Sequence, residues 1–285
     1  MMSPLSDDGP SVKTFNALTW AGTSIDDAFM PRLAGKVCLV TGGAGGAGAA
    51  ATLLFAAEKA AVGIIDLPSQ ADAAAALVQE VRDHGGRAAF AAADVSCAAQ
   101  VDAAVAALAA ELGPPTLLFA HAGTLLVKPF LETSAEEWDA LFAVNVRGMF
   151  LACKAALPFM VAAGGGAIVC TSSISAELGT PCEVAYGASK GACHQLARAL
   201  AVEFRDRGVR ANAVCPGFIR TPHGLREQQQ LLELGVDVSD AGLKAAQGRW
   251  CEPREVAQAA LWLLSDDASF VNGARLFVDN GFSSV

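Results

Sequence analysis

From Lys36 onward, short, mostly apolar runs alternate with longer stretches of helical periodicity. The runs are "KVCLVTG" (36–42), "AVGIID" (61–66), "RAAFAAAD" (87–94), "TLLFAHAG" (116–123), "GAIVCTSS" (166–173), "GVRANAVCPG" (208–217) and "ARLFVD" (274–279). Between them, helices are predicted over 46–58, 72–83, 100–112, 135–160 (as one or two helices), around "AYGASKGACHQLARAL" (185–200) and over 253–264. Strands apolar on both sides need cover on both faces, and helices placed between successive strands make the sheet parallel. The pattern predicts one doubly wound α/β domain over residues 35–285, with a mostly parallel, seven-stranded sheet. Residues 1–34 mix Ser, Asp, Gly and Pro with isolated Phe15, Trp20, Ile25 and Phe29, and read as an N-terminal extension.

Composition narrows the possibilities. Of the 285 residues, 53% are hydrophobic and 17% charged, ample for a large core. A net charge of −9 disfavours nucleic acid and anionic membrane surfaces as partners. Apolar stretches such as "AAATLLFAAEKAAVGIID" are broken by charge, so no membrane span is expected. Lys13 and Arg32 are the sole basic residues before position 35, unlike a secretory or transit signal. Eight cysteines stand singly, with no CxxC pair and no histidine at ligand spacing, as expected of free thiols in a reducing cytoplasm without a metal.

Two features point to a dinucleotide. "TGGAGGAG" (41–48) joins the first strand to the first helix, with Gly42, Gly46 and Gly48 in a T-G-x-x-x-G-x-G spacing. Glycines there let the backbone and the helix-start amides, Ala47 included, approach a pyrophosphate. Asp66 ends the second strand, 24 positions after Gly42, where a carboxylate accepts from ribose hydroxyls and repels a 2′-phosphate. Leu67 follows it rather than Arg. NAD is therefore expected over NADP.

The only tyrosine, Tyr186, precedes Lys190 by four positions and so shares a helix face with it. An ammonium beside a phenol favours the phenolate, which makes tyrosine usable as an acid/base. A packed aromatic beside a snorkelling lysine would give the same spacing.

Together with "DV" (94–95), "NVRG" (145–148), "TSS" (171–173), "YGASK" (186–190), "PGFIRT" (216–221) and "VDNG" (278–281), these motifs resemble the short-chain dehydrogenase/reductase family in its compact, single-domain branch. The likeness covers about residues 35–283 and implies a Rossmann-type fold, a homotetramer and a hydride transfer. It implies that Tyr186 exchanges a proton with the substrate oxygen, Ser173 hydrogen-bonds that oxygen, Lys190 binds the nicotinamide ribose, and Asn145 holds a water linking Lys190 to solvent. It also implies that Asp94 and Val95 flank the adenine, that Ala122 and Gly123 lie on its ribose, and that Pro216, Gly217, Ile219 and Thr221 wrap the nicotinamide end. His121 departs from the family's asparagine and is expected to substitute for it structurally, since imidazole supplies a donor and an acceptor.

The segment 222–250 is where that family keeps a substrate lid, and Leu225, Leu231, Leu232 and Leu234 are expected on its underside. Substrate contacts are expected from Ser173, Ile174, Cys182 and Tyr186. No Arg or Lys occurs from 171 to 189, which favours a neutral, fairly apolar secondary alcohol and its ketone. A β-ketoacyl thioester reductase and a non-catalytic dinucleotide sensor are the competing readings.

Overall fold

The apolar runs become strands because each buries two faces. In the first strand, β1 (Val37–Thr41), Val37 and Leu39 enter one hydrophobic layer while Cys38 and Val40 enter the layer on the opposite side. The computed structural model describes residues 31–284. Most of the extension expected over 1–34 lies outside that range.

The chain continues through α1 (Gly46–Ala57), β2 (Ala61–Asp66), α2 (Ala71–Asp83), β3 (Arg87–Ala92), α3 (Ala98–Leu112) and β4 (Leu117–Ala120). The second half carries α4 (Ala135–Phe142), α5 (Met149–Ala162), β5 (Gly166–Thr171), α6 (Val184–Glu203) and β6 (Val209–Pro216). Then come α7 (Pro222–Glu233), α8 (Asp240–Gln247), α9 (Pro253–Leu264) and β7 (Arg275–Val278). Among the described residues the seven strands form one sheet in the order β3-β2-β1-β4-β5-β6-β7, every pairing parallel. Residues of α3, α5 and α6 fill one layer, and residues of α1, α2 and α9 the other. The fold is the predicted Rossmann-type α/β arrangement.

Strand order reverses between β1 and β4, so the loops leaving these strands diverge and open a crevice at the carboxyl ends. All the loops singled out in the sequence leave the sheet at that edge.

Four details differ from the sequence reading. Leu33, assigned to the extension, is fully buried in the α1–α9 layer, and Arg32 pairs with Glu58 at 2.7 Å. The domain therefore takes in residues before 35. The helical region after Ser134 is interrupted by a π-helical stretch, Ala143–Gly148, that contains Asn145. The run Ala135–Ala162 is also long and apolar enough to cross a membrane, with mean hydropathy 1.5, which the sequence reading did not anticipate. In this fold Ala152, Cys153, Ala156 and Met160 of that run are buried in the layer shared with α3 and α6. Finally, only Leu231 of the four expected lid leucines is buried. It joins Phe218, Val238, Leu243 and Trp250, while Leu225, Leu232 and Leu234 are exposed.

Candidate active site

The crevice is a cleft of about 820 Å³ that reaches from the glycine loop to α7. At its floor, Gly42 takes a φ of +68°, and a Cβ there would meet the Ala122 Cα at 3.0 Å. A Cβ on Gly48 would stand 2.0 Å from the Gly42 carbonyl oxygen, so only glycine lets α1 start so close to β1. No side chain caps α1, and its first turn carries no acid. Its leading amides are left for an anion.

Asp66 is fixed at one end of the cleft. Its Oδ2 accepts from the Ala44 amide at 2.9 Å and its Oδ1 from the Leu67 amide at 2.8 Å. Both Asp66 and Leu67 line the cleft, with Leu67 exposed. The end of β6 and the loop after it supply Pro216, Gly217, Ile219 and Thr221 to the opposite wall. Gln247 of α8 pins that loop: its Oε1 accepts from the Phe218 amide at 2.8 Å and its Nε2 donates to the Phe218 carbonyl at 2.9 Å.

Ser173, Tyr186 and Lys190 converge in the middle of the cleft. Ser173 Oγ accepts from the Ser175 amide at 3.1 Å, which leaves its own hydrogen to donate. Tyr186 is buried against Leu141, Ala185 and the half-buried Trp138. Lys190 Nζ donates to the Thr171 carbonyl at 3.2 Å and lies 5.6 Å from the Tyr186 ring centroid. A Cβ on Gly123 would stand 3.3 Å from both Lys190 Nζ and Asn145 Oδ1, so these three residues share one corner.

Electrostatics qualify the expected tuning. Burial first, then the Glu227 and Glu183 carboxyls, hold the Tyr186 phenol well above its ordinary range, with the Ser173 hydroxyl pulling the other way. Burial also lowers Lys190. Burial and the two carboxyls, rather than the lysine, set the direction of the phenol's shift.

Several predicted residues do not line the cleft. Asn145 is fully buried and does not line the cleft: its Nδ2 donates to the Thr124 carbonyl and to Ser189 Oγ, and its Oδ1 accepts from the Thr124 amide at 2.7 Å. From within the π-helical stretch it braces the loop after β4. Gly48, Asp94, Val95 and Ala122 also lie off the cleft wall. Val95 packs on Gly148, Asp94 Oδ1 accepts from the Ser96 amide, and the Ala122 amide donates to Thr41 Oγ1. Ile174 and Gly123 line the cleft as expected. Cys182 does not: it sits at φ +64° beside the Phe218–Trp250 cluster.

His121 also lines the cleft. Its Nδ1 lies 3.0 Å from Thr171 Oγ1, its ring stacks on Phe119, and burial lowers its pKa to about 3, so it stays neutral and ties β4 to β5. Sequence reasoning missed His223 and Glu227 of α7, both in the cleft wall. Their four-residue spacing, which places both on one helix face, was the available signal.

A family model described as enoyl-(acyl carrier protein) reductase matches residues 42–283. The chain belongs to the short-chain dehydrogenase/reductase family. It is an oxidoreductase of a family that binds a nicotinamide dinucleotide. A cyclopentanol dehydrogenase of a Comamonas species is 40% identical over 255 residues, 90% of this chain and 100% of the relative. A 2,5-dichloro-2,5-cyclohexadiene-1,4-diol dehydrogenase, LinX, of Sphingobium indicum is 38% identical and covers 88% of this chain and 98% of its own. The crystal structure of a gluconate 5-dehydrogenase from Burkholderia cenocepacia, in complex with NADP and tartrate, matches with a TM-score of 0.81 and 32% identity over 90% of this chain and 98% of that one.

Proposed function

We propose that this chain is an NAD-dependent dehydrogenase of neutral secondary alcohols, reversible to ketone reductase. The observation that carries the reading is the convergence of Ser173, Tyr186 and Lys190 in the cleft that holds the glycine loop and Asp66. The residues fit the dinucleotide: the glycines leave the space a Cβ would fill, and Asp66 presents a fixed carboxylate at the ribose end. When bound, the cofactor supplies the hydride acceptor or donor for the carbinol carbon. In the oxidising direction Tyr186 accepts the alcohol proton, and in the reducing direction it donates a proton to the ketone oxygen. Ser173 donates to that oxygen and holds it in register. Lys190 keeps a positive charge beneath the phenol and orients ribose hydroxyls.

For the substrate, the lining residues decide between classes. Ile174, Leu178, Pro181, Phe218, Val236 and Val238 make the wall apolar. Among the described residues lining the cleft, Lys190 is the sole Lys or Arg, so a carboxylate substrate finds no separate counter-ion. Arg220 and Arg226 are exposed and lie outside the wall.

A panel of cyclic and acyclic secondary alcohols with NAD, read by NADH absorbance, should give turnover with several members. Loss of all turnover despite tight NADH binding would move the chain to the sensor reading. Turnover confined to acetoacetyl thioesters with NADPH would move it to the thioester reductase reading.

The phenol also fixes the pH dependence. Because its proton affinity is raised, the basic form that oxidation needs becomes more populated as pH climbs, whereas reduction uses the protonated form that dominates at neutrality. At saturating cofactor, alcohol oxidation should therefore rise from neutral to alkaline pH while ketone reduction stays flat. A flat oxidation profile would assign the proton transfer to another group.

A further inference from the structure

The cleft wall opposite Asp66 depends on one side chain that never reaches the cleft. Along residues 217–221, the Gly217 amide donates to the Val278 carbonyl of β7 at 3.2 Å and the Arg220 amide to the Cys251 carbonyl at 2.8 Å. The Phe218 amide between them finds no backbone acceptor among the described residues, and its partner is Gln247 Oε1 at 2.8 Å. Phe218 is 7% exposed, so without that oxygen its amide would be a buried donor left unpaired. The Phe218 carbonyl accepts from the Cys251 amide at 3.0 Å as well as from Gln247 Nε2.

Gln247 is itself held at both ends. Its side chain is 1% exposed, and Nε2 has a second acceptor in the Arg249 carbonyl at 2.9 Å, so a turn of the carboxamide breaks three hydrogen bonds at once. Its main-chain carbonyl accepts from Asn280 Nδ2 at 2.8 Å. Asn280 belongs to the loop after β7, and Phe282 of the same loop stacks on the Phe218 ring with centroids 6.5 Å apart. Gln247 is absent from the cleft wall, whereas Gly217, Phe218 and Ile219 are part of it. Among the described residues, the Ile219 amide is the one amide of residues 217–221 without a protein partner.

An apolar side chain of the same length would fill the same space and orphan Phe218. The loop would then relax by turning that amide to water, and a ligand seated against the wall would have to order it again. We propose that Gln247 is a positioning residue for the nicotinamide end of the dinucleotide, fixing Gly217, Phe218 and Ile219 in place before the cofactor arrives. This rests on the proposed dehydrogenase reading, in which that wall faces the nicotinamide. The adenosine end is built by Asp66 and the glycine loop, which Gln247 does not touch, so its loss should weaken one half of the cofactor only.

The test compares binding of NADH, by fluorescence, with binding of ADP-ribose, which lacks the nicotinamide, by calorimetry. In Gln247→Met the Kd for NADH should rise roughly tenfold, the order of effect of orphaning one buried amide, while the Kd for ADP-ribose stays as in wild type. A side chain that merely supports the fold would weaken both ligands alike. Asn280→Gly removes the hydrogen bond to the Gln247 carbonyl, and glycine takes the φ of +50° found there without strain. It should give a smaller loss, again confined to NADH, and it decides the matter if Gln247→Met does not fold. Equal losses for the two ligands overturn this proposal alone, as does unchanged NADH affinity in Gln247→Met or, where that variant does not fold, in Asn280→Gly. Wild type that binds neither NADH nor ADP-ribose overturns the dehydrogenase reading beneath it.

Discussion

Tyr186→Phe lowers turnover in both directions by about 10²- to 10⁴-fold, the contribution of a positioned general acid–base. The ring packs against Leu141, Ala185 and Trp138, and phenylalanine fills the same space, so thermal unfolding should move little. The only loss is the hydroxyl that faces Ser173 and the reacting oxygen. Dinucleotide affinity, measured by NADH fluorescence, should stay within a few-fold, because Asp66, the glycine loop and Thr221 are untouched. Loss of cofactor binding in this variant, with the fold intact, would make the residue a packing element.

Cofactor choice carries the second large effect. Wild type should prefer NAD over NADP by roughly 10²-fold in kcat/KM. A 2′-phosphate would stand against the Asp66 carboxylate, and like-charge contact costs several kcal/mol at about 1.4 kcal/mol per tenfold. Asp66 cannot easily swing aside, because each oxygen is held by a backbone amide, Ala44 on one and Leu67 on the other. Replacing Asp66 with serine and Leu67 with arginine should reverse the preference, since the serine keeps an acceptor near Ala44 and the arginine supplies a bidentate phosphate partner. Comparable efficiency of wild type with both cofactors would sink the assignment.

Much of this was readable in the residues because the signals are local. A strand buried on both faces announces itself as an apolar run, and the T-G-x-x-x-G-x-G and Y-x-x-x-K spacings convert directly into a turn and a helix face. The domain start was placed late because Leu33 stands alone in a polar segment, and only its fit between α1 and α9 buries it. The lid leucines misled for a related reason. Their helix turns Leu231 inward and leaves Leu225, Leu232 and Leu234 in solvent, a rotation set by Phe218 and Trp250, which lie outside that helix. Asn145 was placed in the right neighbourhood, yet its partners at Thr124 and Ser189 come from chain segments whose meeting no short window contains.

The amide of Gln247 takes both polar groups of the Phe218 backbone, and its Nε2 also reaches the Arg249 carbonyl. A Cβ on the neighbouring Gly217 would stand 2.1 Å from that same Oε1, so there is no slack between helix and loop. Any outward displacement of α8 would therefore have to carry residues 217–218 of the cleft wall with it.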